Sequence, residues 1–455
     1  MSKVVLLYPP QQTHPSHAPK PEASLAYPYL AGSLLQAGHE VHIYDACVGN
    51  HRDPPDIFYH HSQLDSGLLR HGVSDDRILQ EVEDADVVGI TSIFTAQESI
   101  ALHVGSLVKK HYPKKLLVTG GTNARNRADK FLFAGFDVVC TSEAETNIVE
   151  IADHPAAFKQ KGMIEQNPPT NLDLLPMPAW HLHPNDRYWK IGRPHGAPNQ
   201  TEGPFAYANL MTSRGCPFNC QYCHISGEDG IARFRVKSGQ RVCLELETLS
   251  DLGVKELFIE DDSLFGRKQR GIDVLQTVRD SGFHVWDING INISHLFKGR
   301  SPDENLLDML RDCGFAHVSL PVESASQRII DKYASSKWNT FRHNVSTLIQ
   351  SLSDRGISSG VNYMIGFPDE TIQEVQATID LARRHREAGA NSINLMLVVP
   401  LPGTILYRNA IRDGHLDKDF NPDSFNWRQA NLKNTTVPPE QLEEIQQSVW
   451  TEMNA

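Results

Sequence analysis

Three cysteines in the stretch Cys216-Pro217-Phe218-Asn219-Cys220-Gln221-Tyr222-Cys223 are the densest group of reactive side chains in the chain. The C-x3-C-x2-C spacing lets three thiolates converge on one small inorganic group. A structural zinc site closes with four protein ligands, so three thiolates leave it one short. A four-iron cluster has four corners, so three thiolates leave one iron open to another ligand. A lone C-x2-C pair would read as a zinc knuckle, and the third cysteine with an aromatic residue before the last makes the pattern narrower. Cys47, Cys140, Cys243 and Cys313 stand singly among apolar neighbours and are expected to be small buried residues.

The rest of the chain must position that loop. At 455 residues, two or three domains are expected. Hydrophobic residues make up 40% and charged residues 22%, with a mean hydropathy of -0.37, the composition of a soluble globular protein. No apolar run approaches the roughly 20 residues that span a bilayer. The first apolar run, Val4 to Tyr8, is too short for a signal peptide and stops at Pro9-Pro10, so a cytoplasmic location is expected. In that reducing compartment clustered cysteines bind metal more often than they pair. A net charge of -12 excludes non-specific nucleic-acid binding, which needs a basic footprint, though not a specific RNA site.

Residues 1–152 alternate apolar strand and helix patterns. Strands are expected at Val4–Tyr8, Glu40–Tyr44, Val87–Thr91, Leu116–Thr119 and Val138–Cys140, and helices at Leu25–Ala37, Asp75–Glu83, Ile100–Tyr112 and Glu145–Ala152. The polar, His-rich stretch from Asn50 to His71 reads as a long surface loop with a short helix. Buried strands alternating with helices imply a doubly wound parallel sheet, which binds ligands at the carboxyl ends of its strands. Those ends are Tyr8-Pro9-Pro10, Asp45, Thr91-Ser92, Gly120-Gly121-Thr122 and Thr141-Ser142-Glu143. Residues 153–204 are rich in Pro and irregular, a linker whose Trp180, Tyr188 and Trp189 are expected to pack onto the second domain. Over 205–415 six further strand-then-helix units follow, with strands at Phe205–Thr212, Glu256–Glu260, Phe283–Asn289, His317–Val322, Gly360–Met364 and Ser392–Val399. Six units are too few for a full eight-stranded barrel. Residues 416–455 form a short tail with a final helix, Gln441–Met453.

The cysteine spacing resembles the signature of the radical S-adenosylmethionine (SAM) enzymes, and the strand ends of residues 205–415 extend the resemblance. It implies an α/β fold with a partial (β/α)6 barrel, a [4Fe-4S] cluster on Cys216, Cys220 and Cys223, and SAM chelated through its amino and carboxylate groups by the open iron. It places the backbone of Tyr222 on the adenine. It places Glu260-Asp261-Asp262 near the methionine amino group without choosing among the three, although strand-end carboxylates also serve as helix caps. Leu320-Pro321-Val322-Glu323-Ser324-Ala325-Ser326 resembles Gly-x-Glu-Ser-x-Ser, with Pro321 where a glycine is usual. Glu323 and Ser324 would approach the ribose and carboxylate, and the lysine usual some ten residues on is Lys332 or Lys337. Gly366, in Gly366-Phe367-Pro368-Asp369-Glu370-Thr371, permits close approach to the adenine, and Pro400 to Tyr407 resembles Pro-x-Pro-Gly-Thr-x-Leu-Tyr.

Residues 1–152 resemble the cobalamin (B12)-binding Rossmann domain of one radical SAM subfamily. The residues that carry this are Pro9-Pro10, Gly38-His39-Glu40-Val41, Val88-Gly89-Ile90-Thr91-Ser92, Gly120-Gly121 and Ser142-Glu143-Ala144-Glu145-Thr146. Pro10, Thr91, Ser92, Gly120, Gly121, Thr122, Ser142 and Glu143 are the implied cobalamin contacts. Thr122-Asn123-Ala124 departs from the histidine often found after the paired glycines, and Ser142–Glu145 from Gly-Glu-Gly-Glu. No Asp-x-His-x-x-Gly is present. A domain that binds cobalamin and a domain kept as scaffold both fit these residues.

The resemblance implies an enzyme that cleaves SAM to a 5′-deoxyadenosyl radical, which takes hydrogen from an unactivated C–H bond of a small-molecule or natural-product intermediate. Cobalamin-dependent C-methylation is the expected outcome, and dehydration, rearrangement or cyclisation without methyl transfer the alternative. An electron donor such as flavodoxin or ferredoxin is implied. With a short C-terminus, closing the pocket falls to a partner protein, a dimer contact or the Asn50–His71 stretch. Changing Cys216, Cys220 and Cys223 to Ala is expected to abolish the brown colour of the reconstituted protein and its reductive SAM cleavage together, as read by visible absorption and chromatography.

Overall fold

The computed structural model describes residues 1–22, 24–192, 206–226 and 234–454. Two compact α/β units are present, one running from Met1 into the expected linker and the other from Tyr207 onward. Each is built on its own six-stranded parallel sheet. Phe205, the expected start of the first barrel strand, lies outside the described residues, as do residues 193–204 of the expected linker.

In the first unit the strands are β1 (Lys3–Tyr8), β2 (Glu40–Asp45), β3 (Val87–Thr91), β4 (Leu116–Gly120), β5 (Val138–Cys140) and β6 (Gly162–Ile164), in the order β2-β1-β3-β4-β5-β6. The residues of β1 after Lys3 and all those of β3 are buried. That is why these segments read as continuous apolar runs rather than alternations: helices cover both faces of the sheet. Strand order reverses between β1 and β3, and such a reversal opens a crevice at the carboxyl edge. Tyr27, from the helix Ala26–Gln36, joins the two strands there: its hydroxyl donates to the Leu7 carbonyl at 2.5 Å and accepts from the Thr91 amide at 3.0 Å.

Three expectations change. Residues 61–63 and 69–71 are not loop but two short strands, paired antiparallel with one another and with Gln11–Thr13. A sixth strand, β6, lies inside the expected linker and pairs with β5; at three residues it is too short to show a period. Two of the linker aromatics pack within the first unit: Trp180 meets Tyr29 edge-on at 6.3 Å, and the Tyr188 hydroxyl donates to Asp45. A further correction concerns Cys243, which is exposed on the helix Gly239–Asp251, whereas Cys47, Cys140 and Cys313 are buried.

The second unit follows chain order: β7 (Tyr207–Leu210), β8 (Glu256–Ile259), β9 (His284–Asp287), β10 (Phe315–Glu323), β11 (Ser358–Ile365) and β12 (Ser392–Leu397). Neighbours are parallel, and β7 and β12 are its unpaired edges, so this is an open, partial barrel. Rings of Tyr207, Phe258, Trp286 and His317 step across four successive strands at centroid spacings of 5.5, 5.7 and 6.1 Å. The C-terminal tail is part of this unit: the helix Pro439–Asn454 packs on β12, and Gln446 donates to the Leu395 carbonyl at 3.1 Å.

The paired glycines after β4 differ in what they require. Gly121 has φ +103°, and a Cβ there would lie 2.6 Å from the Ser92 carbonyl oxygen, whereas a Cβ on Gly120 would find nothing nearer than 3.6 Å. Gly121→Ala is therefore expected to cost about 1–3 kcal/mol in denaturant unfolding, and Gly120→Ala to stay within about 0.5 kcal/mol of the parent.

Candidate active site

The cysteine loop leaves β7 and has little regular structure of its own. Other segments of the second unit hold its backbone. The Gly215 amide donates to Asp262 at 2.8 Å, the Asn219 amide to the Ser335 hydroxyl at 3.1 Å, and the Gln221 amide to the Tyr333 carbonyl at 2.8 Å. The Gln221 carbonyl accepts from Leu406, and His224 meets the Pro402 carbonyl at 2.8 Å. The segments after β8, β10 and β12 thus converge on one loop. Cys220 is buried, and Cys216 and Cys223 are half-buried. Among the described residues, no three His, Cys, Asp or Glu side chains converge on a single-ion position; thiolates that each take a separate iron of a cluster lie further apart than that.

Burial holds all three thiols above their ordinary pKa, Cys223 at about 12. The Lys337 ammonium works in the opposite direction on Cys216 and Cys220. Lys337 also sits 2.5 Å from Glu323, with both side chains largely buried. Burial disfavours its charge, but Glu323 and the Cys220 and Cys223 thiols outweigh that and raise its pKa. Of the two lysines left open by the sequence, Lys337 turns its ammonium to Glu323 beside the thiols, while the Lys332 ammonium pairs with Asp369.

Glu323 ends β10 with φ +66°, a left-handed conformation unusual for a residue with a side chain. Burial first, then the charges of Glu323 and Cys220, push the Tyr222 phenol well above its ordinary range. Ser324 turns away from this group: it is fully buried, and its hydroxyl lies 3.2 Å from that of Thr378. Gly366 has φ +91°, and a Cβ there would meet Leu442 of the last helix at 3.1 Å. Its amide donates to Glu370, whose carboxyl burial lifts to about 7.

The three acidic residues after β8 have different surroundings. Asp261 accepts from the Thr212 amide and hydroxyl, both at 2.5 Å, and from the Ser213 hydroxyl at 2.6 Å. Asp262 anchors the cysteine loop through Gly215. Glu260 is bonded to the Asn209 amide group, and burial, with Asp262 adding, raises it to about 7. Nothing in the spacing of Glu260-Asp261-Asp262 distinguishes them; their partners do.

The first unit gathers the other candidates along its carboxyl edge. Pro10 follows β1, Thr91 and Ser92 end β3, Gly120 to Thr122 end β4, and Ser142 and Glu143 follow β5. The Ser92 carbonyl accepts from the Asn123 and Ala124 amides, both at 3.1 Å, and the Ser92 hydroxyl from the Asn123 side chain at 3.0 Å. The Ser142 hydroxyl accepts from the Gln166 amide at 3.1 Å. Three buried oxygens in this region have no hydrogen-bond partner: Thr95 Oγ1, Thr119 Oγ1 and Asn123 Oδ1. Buried polar atoms are rarely left so, and a ligand rich in amides and hydroxyls, such as cobalamin, supplies the partners they lack. With the switch-point crevice, the edge fits such a group. The strand ends Thr91-Ser92 and Gly120-Gly121-Thr122 marked this region in the sequence, but not the buried oxygens of Thr95, Thr119 and Asn123 or the hydroxyl of Tyr27.

The buried Lys337–Glu323 pair generates a stability prediction. Lys337→Met leaves the carboxylate without its counter-charge and is expected to cost about 3–5 kcal/mol in denaturant unfolding of the cluster-free protein. Adding Glu323→Gln is expected to recover most of that loss.

Comparison with known proteins agrees with the geometry. Residues 210–382 match the radical SAM superfamily, and residues 17–152 match the B12 binding domain. An uncharacterised methyltransferase of Pyrococcus horikoshii is 28% identical over 78% of this chain and 74% of its own. The cytidylyl-2-hydroxyethylphosphonate methyltransferase of Streptomyces wedmorensis is 27% identical over 92% and 83%. Among solved structures, the radical SAM methyltransferase TsrM of Kitasatospora setae, with cobalamin and a [4Fe-4S] cluster bound, shares the fold at a TM-score of 0.66, with 17% identity over 91% of this chain and 78% of that one. A radical SAM domain and, ahead of it in the sequence, a B12-binding domain are thus both present in this chain.

Proposed function

We propose that the protein is a cobalamin-dependent radical SAM methyltransferase that adds a methyl group to carbon in a small-molecule or natural-product intermediate. The observation that carries this reading is the presence, in one chain, of the three-cysteine loop and of a switch-point edge with a Cβ-free glycine and three unpartnered buried oxygens. When bound, the cluster and SAM supply a 5′-deoxyadenosyl radical, and cobalamin supplies the transferable methyl group.

The chain's own residues bind and orient. Cys216, Cys220 and Cys223 hold the cluster as thiolates, so loading it releases protons. Lys337 offsets part of that negative charge. Glu323, fixed by Lys337 in its left-handed conformation, is the carboxylate for the ribose hydroxyls, and Tyr222 lines the same pocket. Glu260 is assigned to the SAM ammonium. It lacks the hydroxyl donors that occupy Asp261, and a cation beside it would favour its ionised form. Ser324 and Gly366 support the strand ends that carry these groups. In the first unit Pro10, Thr91, Ser92, Gly120, Gly121, Thr122, Ser142 and Glu143 form the cobalamin edge, with Thr95, Thr119 and Asn123 as added contacts. Holding the substrate carbon beside the radical and excluding water is positioning rather than acid–base work.

No helix among the described residues is long and apolar enough to cross a membrane. A cytoplasmic enzyme reduced by a flavodoxin or ferredoxin, its pocket closed by a dimer contact or a partner protein, accords with this reading. Anaerobic reconstitution with iron, sulfide and cobalamin tests the reading. Near-stoichiometric corrinoid is expected to stay with the protein through gel filtration, and S-adenosylhomocysteine to form in step with methylated product. Failure to retain corrinoid overturns the cobalamin assignment, and turnover to an unmethylated product favours the non-methylating alternative.

A further inference from the structure

The last two strands of the barrel carry a pair of carboxamides that the residues assigned above leave unused. Side chains alternate between the two faces of a strand. On β11, Val361, Tyr363 and Ile365 are fully buried on the outer side, where the Tyr363 hydroxyl meets His385 of the helix Ile372–Glu387. Ser358, Gly360, Asn362 and Met364 take the inner side, and the Ser358 hydroxyl lies 2.7 Å from His317 of β10. On β12, Asn394 stands opposite Asn362, and the Asn394 carboxamide donates to that of Asn362 at 2.8 Å. Both residues are half-buried and face the lumen.

Toward the amino ends of the strands the lumen is closed beneath this pair. A Cβ on Gly360 would lie 3.0 Å from the Ser392 hydroxyl and 3.1 Å from His317 Nε2, so no side chain fits there. Toward the carboxyl ends Met364 and Met396 stand opposite one another, and Pro321 stands opposite Asn362 two residues before Glu323. The pair therefore lies on the floor of the lumen, close along the sheet to the carboxylate assigned to the ribose. No inner residue from Gly360 to Met364 or from Ser392 to Met396 is charged, and Glu323 is already matched by Lys337.

The chemistry of the pair does not depend on which carboxamide donates. Their mutual bond uses one N–H and one carbonyl, and leaves the other carbonyl as acceptor and the other amino group as donor. Among the described residues neither carboxamide has a further partner. An adjacent donor and acceptor without charge complement the H–N–C=O edge of an amide or lactam. A phosphate or carboxylate would bring acceptors only, and a charge that no cation on this floor meets. The proline ring and the two adaptable thioethers suit the apolar remainder of such a molecule.

We propose that Asn362 and Asn394 set substrate specificity, holding an uncharged amide or lactam group of the molecule to be methylated. The inference rests on the methyltransferase reading above, and it assigns these residues to binding and not to the chemical step.

The test uses the reconstituted full chain with SAM present and three small probes: δ-valerolactam, δ-valerolactone, which lacks the N–H, and methylphosphonate, which is anionic. In saturation-transfer NMR titrations the wild type is expected to bind the lactam at least about tenfold more tightly than either of the others. Asn362→Leu and Asn394→Leu are expected to remove that preference, while SAM affinity by calorimetry stays within about twofold of wild type. If the Leu variants do not fold, Asn362→Asp and Asn394→Asp, which keep the shape but turn a donor into a charge, are expected to weaken the lactam about tenfold. Variants that bind the lactam as the wild type does, a wild type that binds none of the probes or prefers methylphosphonate, or SAM affinity that falls in step with the lactam overturns the proposal. A wild type that retains no corrinoid and forms no methylated product overturns the methyltransferase reading instead, and the titrations still decide what the pair binds.

Discussion

The hydrogen bonding of the cysteine loop is the constraint on which the second unit depends. A loop of this kind has few backbone partners within itself, and its half-buried amides and carbonyls must be satisfied elsewhere. They are satisfied by Asp262 after β8, by Tyr333 and Ser335 after β10, and by Pro402 and Leu406 after β12. Each contributor sits beyond the carboxyl end of a parallel strand, so the register of the sheet sets the shape of the loop. Pro402 and Leu406, which follow β12 and are remote in sequence from the cysteines, are therefore as necessary to the loop as its own residues.

Charge follows from the same convergence. Lys337 is brought beside Cys216 and Cys220 by a chain segment more than a hundred residues away, and it is held there by Glu323. Removing either partner would leave a buried charge, which costs more than the pair contributes. The left-handed backbone of Glu323 is a second local cost at the same point. Local penalties concentrated on one residue are typical of positions whose geometry is set by what they must hold.

The first unit solves a different problem with the same sheet logic. Its central strands β1 and β3 are buried, so their polar groups gather at the strand termini. The reversal between β1 and β3 leaves a crevice there, and Tyr27 ties its two sides. Gly121 keeps the turn after β4 tight against the Ser92 carbonyl. The glycine pair looked alike in sequence, but only the second is required by its surroundings.

Much of this was legible in the sequence because it is local. Continuous apolar runs declared the strands of both sheets: Val87–Thr91 and Val138–Cys140 fall where the pattern puts them, and the spacing of Cys216, Cys220 and Cys223 stated their chemistry without a fold. Where a segment carried no period, it misled: Gly162–Ile164 is too short to reveal a strand, and His61–Gln63 and Leu69–His71 are polar strands whose pairing comes from one another. Cys243 was misjudged because apolar neighbours along a helix do not say which face a residue takes. The choices that matter most for the site were tertiary. Glu260, Asp261 and Asp262 are equivalent as letters, and so are Lys332 and Lys337. Their surroundings differ only because distant segments supply hydroxyls to Asp261, an amide to Asp262 and a carboxylate to Lys337. Residue type and spacing determined which groups this protein offers for chemistry; burial and partners drawn from far along the chain decided the surroundings of each, because those partners are adjacent only in the folded sheet.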